Sequence, residues 1–154
     1  MLLTAEPGDF SALHRLPIDE VWHFYRGDPL HLLLLHPDGR SELRQLGGDG
    51  EDLMQTVVPA GAWMGARVAP RGAWSLFGTT MAPGFVPADY EGGDAEELAR
   101  DYPDRADLIR ALSRPGAPMR MPVLADPDPE PDPDSGPDSE PADPEPTTSE
   151  AATS

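Results

Sequence analysis

Cysteine and lysine are both absent from the 154 residues. Without thiols there is no disulfide framework, no cysteine nucleophile and no cysteine-ligated zinc, so any metal would need histidine and carboxylate donors. Without lysine, all 11 basic residues are arginine, set against 28 acids for a formal charge of −17. Phosphate would be repelled by that field, which argues against nucleic acid as a partner. Long apolar runs are missing as well. The longest, at 32–35, falls far short of the roughly 20 residues that span a bilayer, and no basic segment followed by an apolar one opens the chain. The expectation is a cytoplasmic protein with no membrane partner, of a length that suits one domain.

What is present divides in two. From Asp126 onward the chain repeats Asp-Pro and Glu-Pro units, and residues 126–154 hold ten acids, eight prolines and no base. Such a segment cannot bury enough apolar surface to offset chain entropy, so residues 121–154 are expected to form a disordered tail. It would act as a solubilising extension or, less simply, as an acidic interaction arm. Removing its ten acids leaves a net charge of −7 on residues 1–125, ordinary for a folded domain, which is placed at residues 1–120.

Within that domain short apolar or aromatic runs recur at 10–16, 20–26, 30–36, 41–46, 53–58, 62–69 and 73–81, each bounded by Gly, Pro or Asp. Strand after strand without intervening helices predicts an antiparallel β-sandwich or barrel. Pro37-Asp38-Gly39-Arg40 reads as a hairpin of type I′, and Gly47-Gly48-Asp49-Gly50 and Pro70-Arg71-Gly72 as two more turns. The helical pattern comes last: Asp94 caps a helix over 95–101, and Asp104 caps another through Leu108, Ile109 and Leu112. Both faces of the 30–35 run are apolar, as in a strand buried on two sides or in a dimer interface. His31 and His36 read as surface residues.

One spacing carries chemical information. Gly8, His14, Leu16, Glu20 and Gly27 follow G-x5-H-x-H-x3-4-E-x6-G, with leucine where the second histidine belongs. Side chains two apart on a strand share a face, so this pattern aims a histidine and, on the next strand, a glutamate at one point inside a barrel. Pro59-Ala60-Gly61 then marks a turn three residues ahead of Met64. Together with the stretch from His14 to Leu30, with Val58 to Trp63, and with Met81-Ala82-Pro83-Gly84-Phe85, these motifs resemble the RmlC-like cupins of domain of unknown function 985. The resemblance spans residues 2–114 and implies a double-stranded β-helix, or jelly roll, closed by two short C-terminal helices. It implies no reaction, since fold alone does not fix chemistry. Members usually carry a further N-terminal segment, so either the start lies internal to the true one or a sheet edge is left uncovered. An open edge invites pairing with a second chain, and a homodimer is expected.

The preferred reading is a small-molecule binding module for a polar or carbohydrate-like ligand. Trp22, Phe24, Trp63 and Met64 would line the barrel, with His14, Glu20 and Gln55 as its polar points. The alternative is a metal-independent epimerase or isomerase in which His14 is the base and Glu20 orients it; Tyr25 would be its acid only if a bulge turned it inward. In that reading Arg15 and Arg67 are possible phosphate contacts. A metal-dependent oxygenase comes third. No cofactor is expected, because a divalent metal would find only His14 and Glu20; His23 lies on the wrong strand face, and Met64 is a soft donor.

Overall fold

The computed structural model describes residues 1–48 and 53–121. Residues 122–154 of the expected disordered tail and the second half of the Gly47-Gly48-Asp49-Gly50 turn lie outside the described residues. Among the described residues, nine strands form two antiparallel sheets. One sheet runs in the order β1 (Leu2–Thr4), β8 (Trp74–Met81), β3 (Glu20–Gly27), β6 (Gln55–Val58). The other runs β5 (Ser41–Leu46), β4 (Leu30–Leu35), β7 (Trp63–Val68), β2 (Ser11–Arg15), β9 (Glu91–Gly92). Two short helices, α1 (Ala95–Asp101) and α2 (Ala106–Ala111), cover the outer face of this second sheet. No described helix is long and apolar enough to cross a membrane.

Alternation along each strand explains the two cores. In β4, Leu30, Leu32 and Leu34 face the space between the sheets, where they meet Trp22, Val58, Met64 and Phe77. Leu33 and Leu35 face the other way, against Leu13, Leu98, Ile109 and Leu112. A strand apolar on both faces is thus accounted for by a sheet on one side and a helix pair on the other. Gly65, opposite Leu33 in the register, gives the second core its depth: a Cβ there would stand 3.1 Å from Leu13 Cγ.

The open edge between β5 and β6 is closed by charge. Arg44 donates to Thr56 Oγ1 and to the Val57 carbonyl, each at 2.8 Å, while Glu42 holds the same guanidinium at 2.8 Å. Arg44 beside Glu42 holds that carboxyl below the usual range. His36, expected at the surface, is buried instead. Following Leu35, it turns toward the inner side, with Nε2 2.8 Å from Glu42 Oε1, and its carbonyl accepts from the Tyr102 hydroxyl at 2.6 Å. His31 is half-buried beside Gln45.

Two local expectations are corrected. The 37–40 hairpin is not type I′, which needs a positive φ at both Asp38 and Gly39, and Asp38 does not take one. Only Gly39 takes a positive φ (+85°), and Gly39 N–H donates to the His36 carbonyl at 2.9 Å, as in a type I turn followed by one left-handed residue. Asp104 does not cap α2: Pro103–Arg105 already forms a 3-10 turn, and the Asp104 carboxylate accepts from Ser41 Oγ at 2.6 Å. Asp94 does cap α1, accepting from the N–H groups of Glu96 (3.0 Å) and Glu97 (2.8 Å). Asp94→Ala should therefore cost about 1 kcal/mol in urea unfolding; a change within error would mean that packing against β4 alone holds the helix.

Candidate functional site

The link between β2 and β3 builds the site. His14 is the next-to-last residue of β2 and Glu20 the first of β3, so residues 16–19 carry the chain from one sheet to the other at one end of the sandwich. The Leu16 carbonyl and the Asp19 carboxylate bind the N–H groups of Gly61 and Ala60, each at 2.8 Å, which fixes the crossing against the Pro59-Ala60-Gly61 turn. Leu13 belongs to the helix-side core, so the next residue, His14, points between the sheets.

The imidazole is half-buried. Its Nδ1 lies 2.8 Å from the Ala12 carbonyl; a carbonyl only accepts, so Nδ1 carries a proton, and in the neutral tautomer Nε2 is the acceptor. The Tyr90 ring stacks on it with centroids 5.3 Å apart and planes 15° apart. Glu20 is only 4% exposed. Burial pushes its carboxyl above the ordinary value; a hydrogen bond from Thr79 and the charge of His14 pull the other way. The second oxygen, Oε2, has no partner, and neither does the indole Nε1 of Trp22, two residues along the same inner face. His14 and Glu20 are within electrostatic reach of each other, but the tautomer of His14 is set by the Ala12 carbonyl rather than by Glu20, contrary to the expectation from sequence.

Of the other residues expected here, Trp22 and Met64 join the pair. Met64 is the register partner of His14 and is 1% exposed, and Trp22 stacks on Phe77 at 5.0 Å inside the core. Three do not join. Phe24 faces inward but lies four residues along β3 from Glu20, roughly 13 Å away, under Gly47, whose positive φ (+72°) brings the backbone onto the ring. Gln55 is exposed, opposite His23 on the outward parity of the strand. Trp63 faces the helices and carries the Arg15 guanidinium 4.5 Å above its ring. Arg15 also forms a two-point pair with Glu91 (2.8 and 2.9 Å), outside the barrel. A bulge does interrupt β3 between Phe24 and Arg26, yet Tyr25 remains 59% exposed on the outer face, and His23 is on that face too, bonded to Thr80.

Three residues that the motif spacing does not point to adjoin the pair. Met81 is the register partner of Glu20, and Thr79 sits one inward step along β8. Both are legible from alternation with Phe77. Tyr90 has no signal in the sequence, because it precedes a two-residue strand.

A cupin metal centre uses two or three histidines and a glutamate. Here Leu16 and Met64 stand at two of those places, and among the described residues no three His, Asp or Glu side chains converge to hold an ion. His14 Nε2 and Glu20 are too few donors for such a centre, and a thioether suits hard cations poorly, so the residues do not fit this group.

Two solved structures agree with the fold. A Shewanella oneidensis protein solved by structural genomics is 34% identical, with a TM-score of 0.66 over 74% of this chain and 72% of that one. A hypothetical protein from Leishmania major is 32% identical, with a TM-score of 0.62 over 73% and 72%. The oxalate decarboxylase of Bacillus subtilis is 17% identical, with a TM-score of 0.45 over 77% of this chain and 30% of that one. No curated protein matches. Residues 1–92 match the family described as Cupin superfamily (DUF985), and the chain, a two-sheet cupin fold with its motif histidine and glutamate turned inward, belongs to that family.

Proposed function

We propose that this cupin domain binds a small polar molecule at the end of the barrel where His14, Glu20, Trp22 and Met64 meet. The supporting observation is the Glu20 carboxylate, buried to 4% exposure with Oε2 unpartnered. A buried polar atom left without a partner costs about 1 to 3 kcal/mol, and a ligand that supplies the partner recovers that cost on binding. Half-buried His14, Tyr90, Thr79 and Met81 form the approach to it. The site acts as a binding module: it offers hydrogen-bonding groups and an apolar wall, and Tyr25, the residue that would serve as an acid opposite His14, faces away.

Thermal unfolding of the full chain against neutral polyols, carboxylates, sugar phosphates and small amines tests this. At least one class should raise the midpoint with increasing concentration, as a ligand that binds only the native state must. His14→Ala should abolish that gain while leaving the unliganded midpoint within a few degrees of wild type. A flat response across all four classes would refute the reading, and a large loss of unliganded stability would make His14 a structural residue.

A further inference from the structure

The unpartnered atoms at this end of the barrel specify a chemical class, and this step rests on the binding reading above. Two buried hydrogen-bonding atoms have no partner: Trp22 Nε1–H, which can only donate, and Glu20 Oε2, which accepts as the carboxylate. Beside them, His14 Nε2 accepts in the neutral imidazole, because Nδ1 donates to the Ala12 carbonyl. Trp22 and Glu20 are two residues apart on one face of β3, roughly 7 Å between their Cα atoms, a span that one small molecule covers. Both are more than nine-tenths buried.

Charge narrows the class further. An anionic ligand would face the Glu20 carboxylate with no arginine beside it to compensate. Arg15 and Arg67 are on the outer side of the second sheet, Arg15 paired with Glu91 and Arg67 the register partner of His31, and Arg26 is exposed six residues along β3 from Glu20. Arg44 does face inward, but Glu42, Thr56 and Val57 hold its guanidinium at the β5–β6 edge. A sugar nucleotide or a small dicarboxylate therefore finds no free guanidinium beside Glu20. A cationic ligand would pair with Glu20 but has no acceptor for the Trp22 N–H. A hydroxyl group does both, since its oxygen accepts from the indole while its hydrogen goes to a carboxylate or imidazole. Two acceptors and one donor match two neighbouring hydroxyls.

We infer that the ligand is a neutral polyol presenting hydroxyls on adjacent carbons, gripped by Glu20, His14 and the indole N–H of Trp22.

The indole N–H cross-peaks of 15N-labelled full-length protein report this directly. The three tryptophans, Trp22, Trp63 and Trp74, are assigned by Trp63→Phe and Trp74→Phe, both outside the site. Glycerol and propane-1,2-diol should shift the Trp22 peak saturably and leave the other two in place, at midpoints at least tenfold below those of propane-1,3-diol, malonate and propylammonium. If malonate or propylammonium moves Trp22 at equal or lower concentration, the polyol class is wrong while the binding site stands. The polyol class is equally wrong if no probe moves Trp22 but another class raises the unfolding midpoint. If both experiments are blank, the polar atoms are satisfied by water alone and both proposals fall.

Discussion

Leu33→Ala should destabilise the domain by about 2 to 5 kcal/mol, the range for emptying a fully buried leucine site. Leu33 is 0% exposed and sits in the middle of β4, the strand flanked by β5 and β7. Its side chain fills the space beneath the helix pair, among Leu13, Leu98, Ile109 and Leu112. Helices of seven and six residues are far too short to persist without tertiary contacts, so the damage should be localised: amide protection in α1 and α2 should fall well before protection in β3 and β8. Leu34→Ala, one residue along, empties the other core, and should cost a similar amount while leaving helix protection tied to global unfolding. Urea titration followed by tryptophan fluorescence gives the magnitudes, and hydrogen exchange gives the location. Equal exchange patterns in the two variants would mean that the two cores behave as one.

That division between cores is visible in the chain because leucine occupies both parities over 30–35, a pattern that only a strand covered on two sides tolerates. The inward set of β3 is also legible: Glu20, Trp22 and Phe24 alternate with Val21, His23 and Tyr25, and the structure keeps that order despite the bulge. What periodicity does not give is position along the strand. Phe24 has the right parity and the wrong end. Trp63 and Gln55 read as inward only while no register places them, and pairing of Trp63 with Leu35 and of Gln55 with His23 puts both on outward faces. Tyr90 reaches His14 through a loop closure that separates them by 76 residues, as Arg15 is from Glu91 in the same β2–β9 pairing. His36 departs from its expected surface position for a related reason, since its burial depends on Tyr102 and Glu42, which the fold brings from elsewhere.

Glu20→Gln should make the protein more stable at neutral pH, and the gain should depend on pH. Burial raises the Glu20 carboxyl above its ordinary value of 4.5, against the opposing pull of Thr79 and His14. Below that ordinary value the carboxyl is protonated in folded and unfolded chains alike, and its protonated form contributes its full share to the folded state. As pH rises, the unfolded chain releases the proton first, so wild-type stability from this group declines through the interval up to the raised folded value and is then constant. Glutamine does not titrate. The stability difference should therefore be flat below about pH 4, turn progressively in favour of the variant over the interval in which the unfolded chain has ionised and Glu20 in the native state has not, and level off, once the native carboxyl ionises too, at about 1 to 3 kcal/mol, the usual cost of a buried group lacking a partner. Other carboxylates titrate alike in both proteins and cancel in the difference. Parallel stability curves from pH 4 to 8 would show that Glu20 is as well solvated in the barrel as in the unfolded chain, and the driving force for placing a ligand against its free oxygen would be gone.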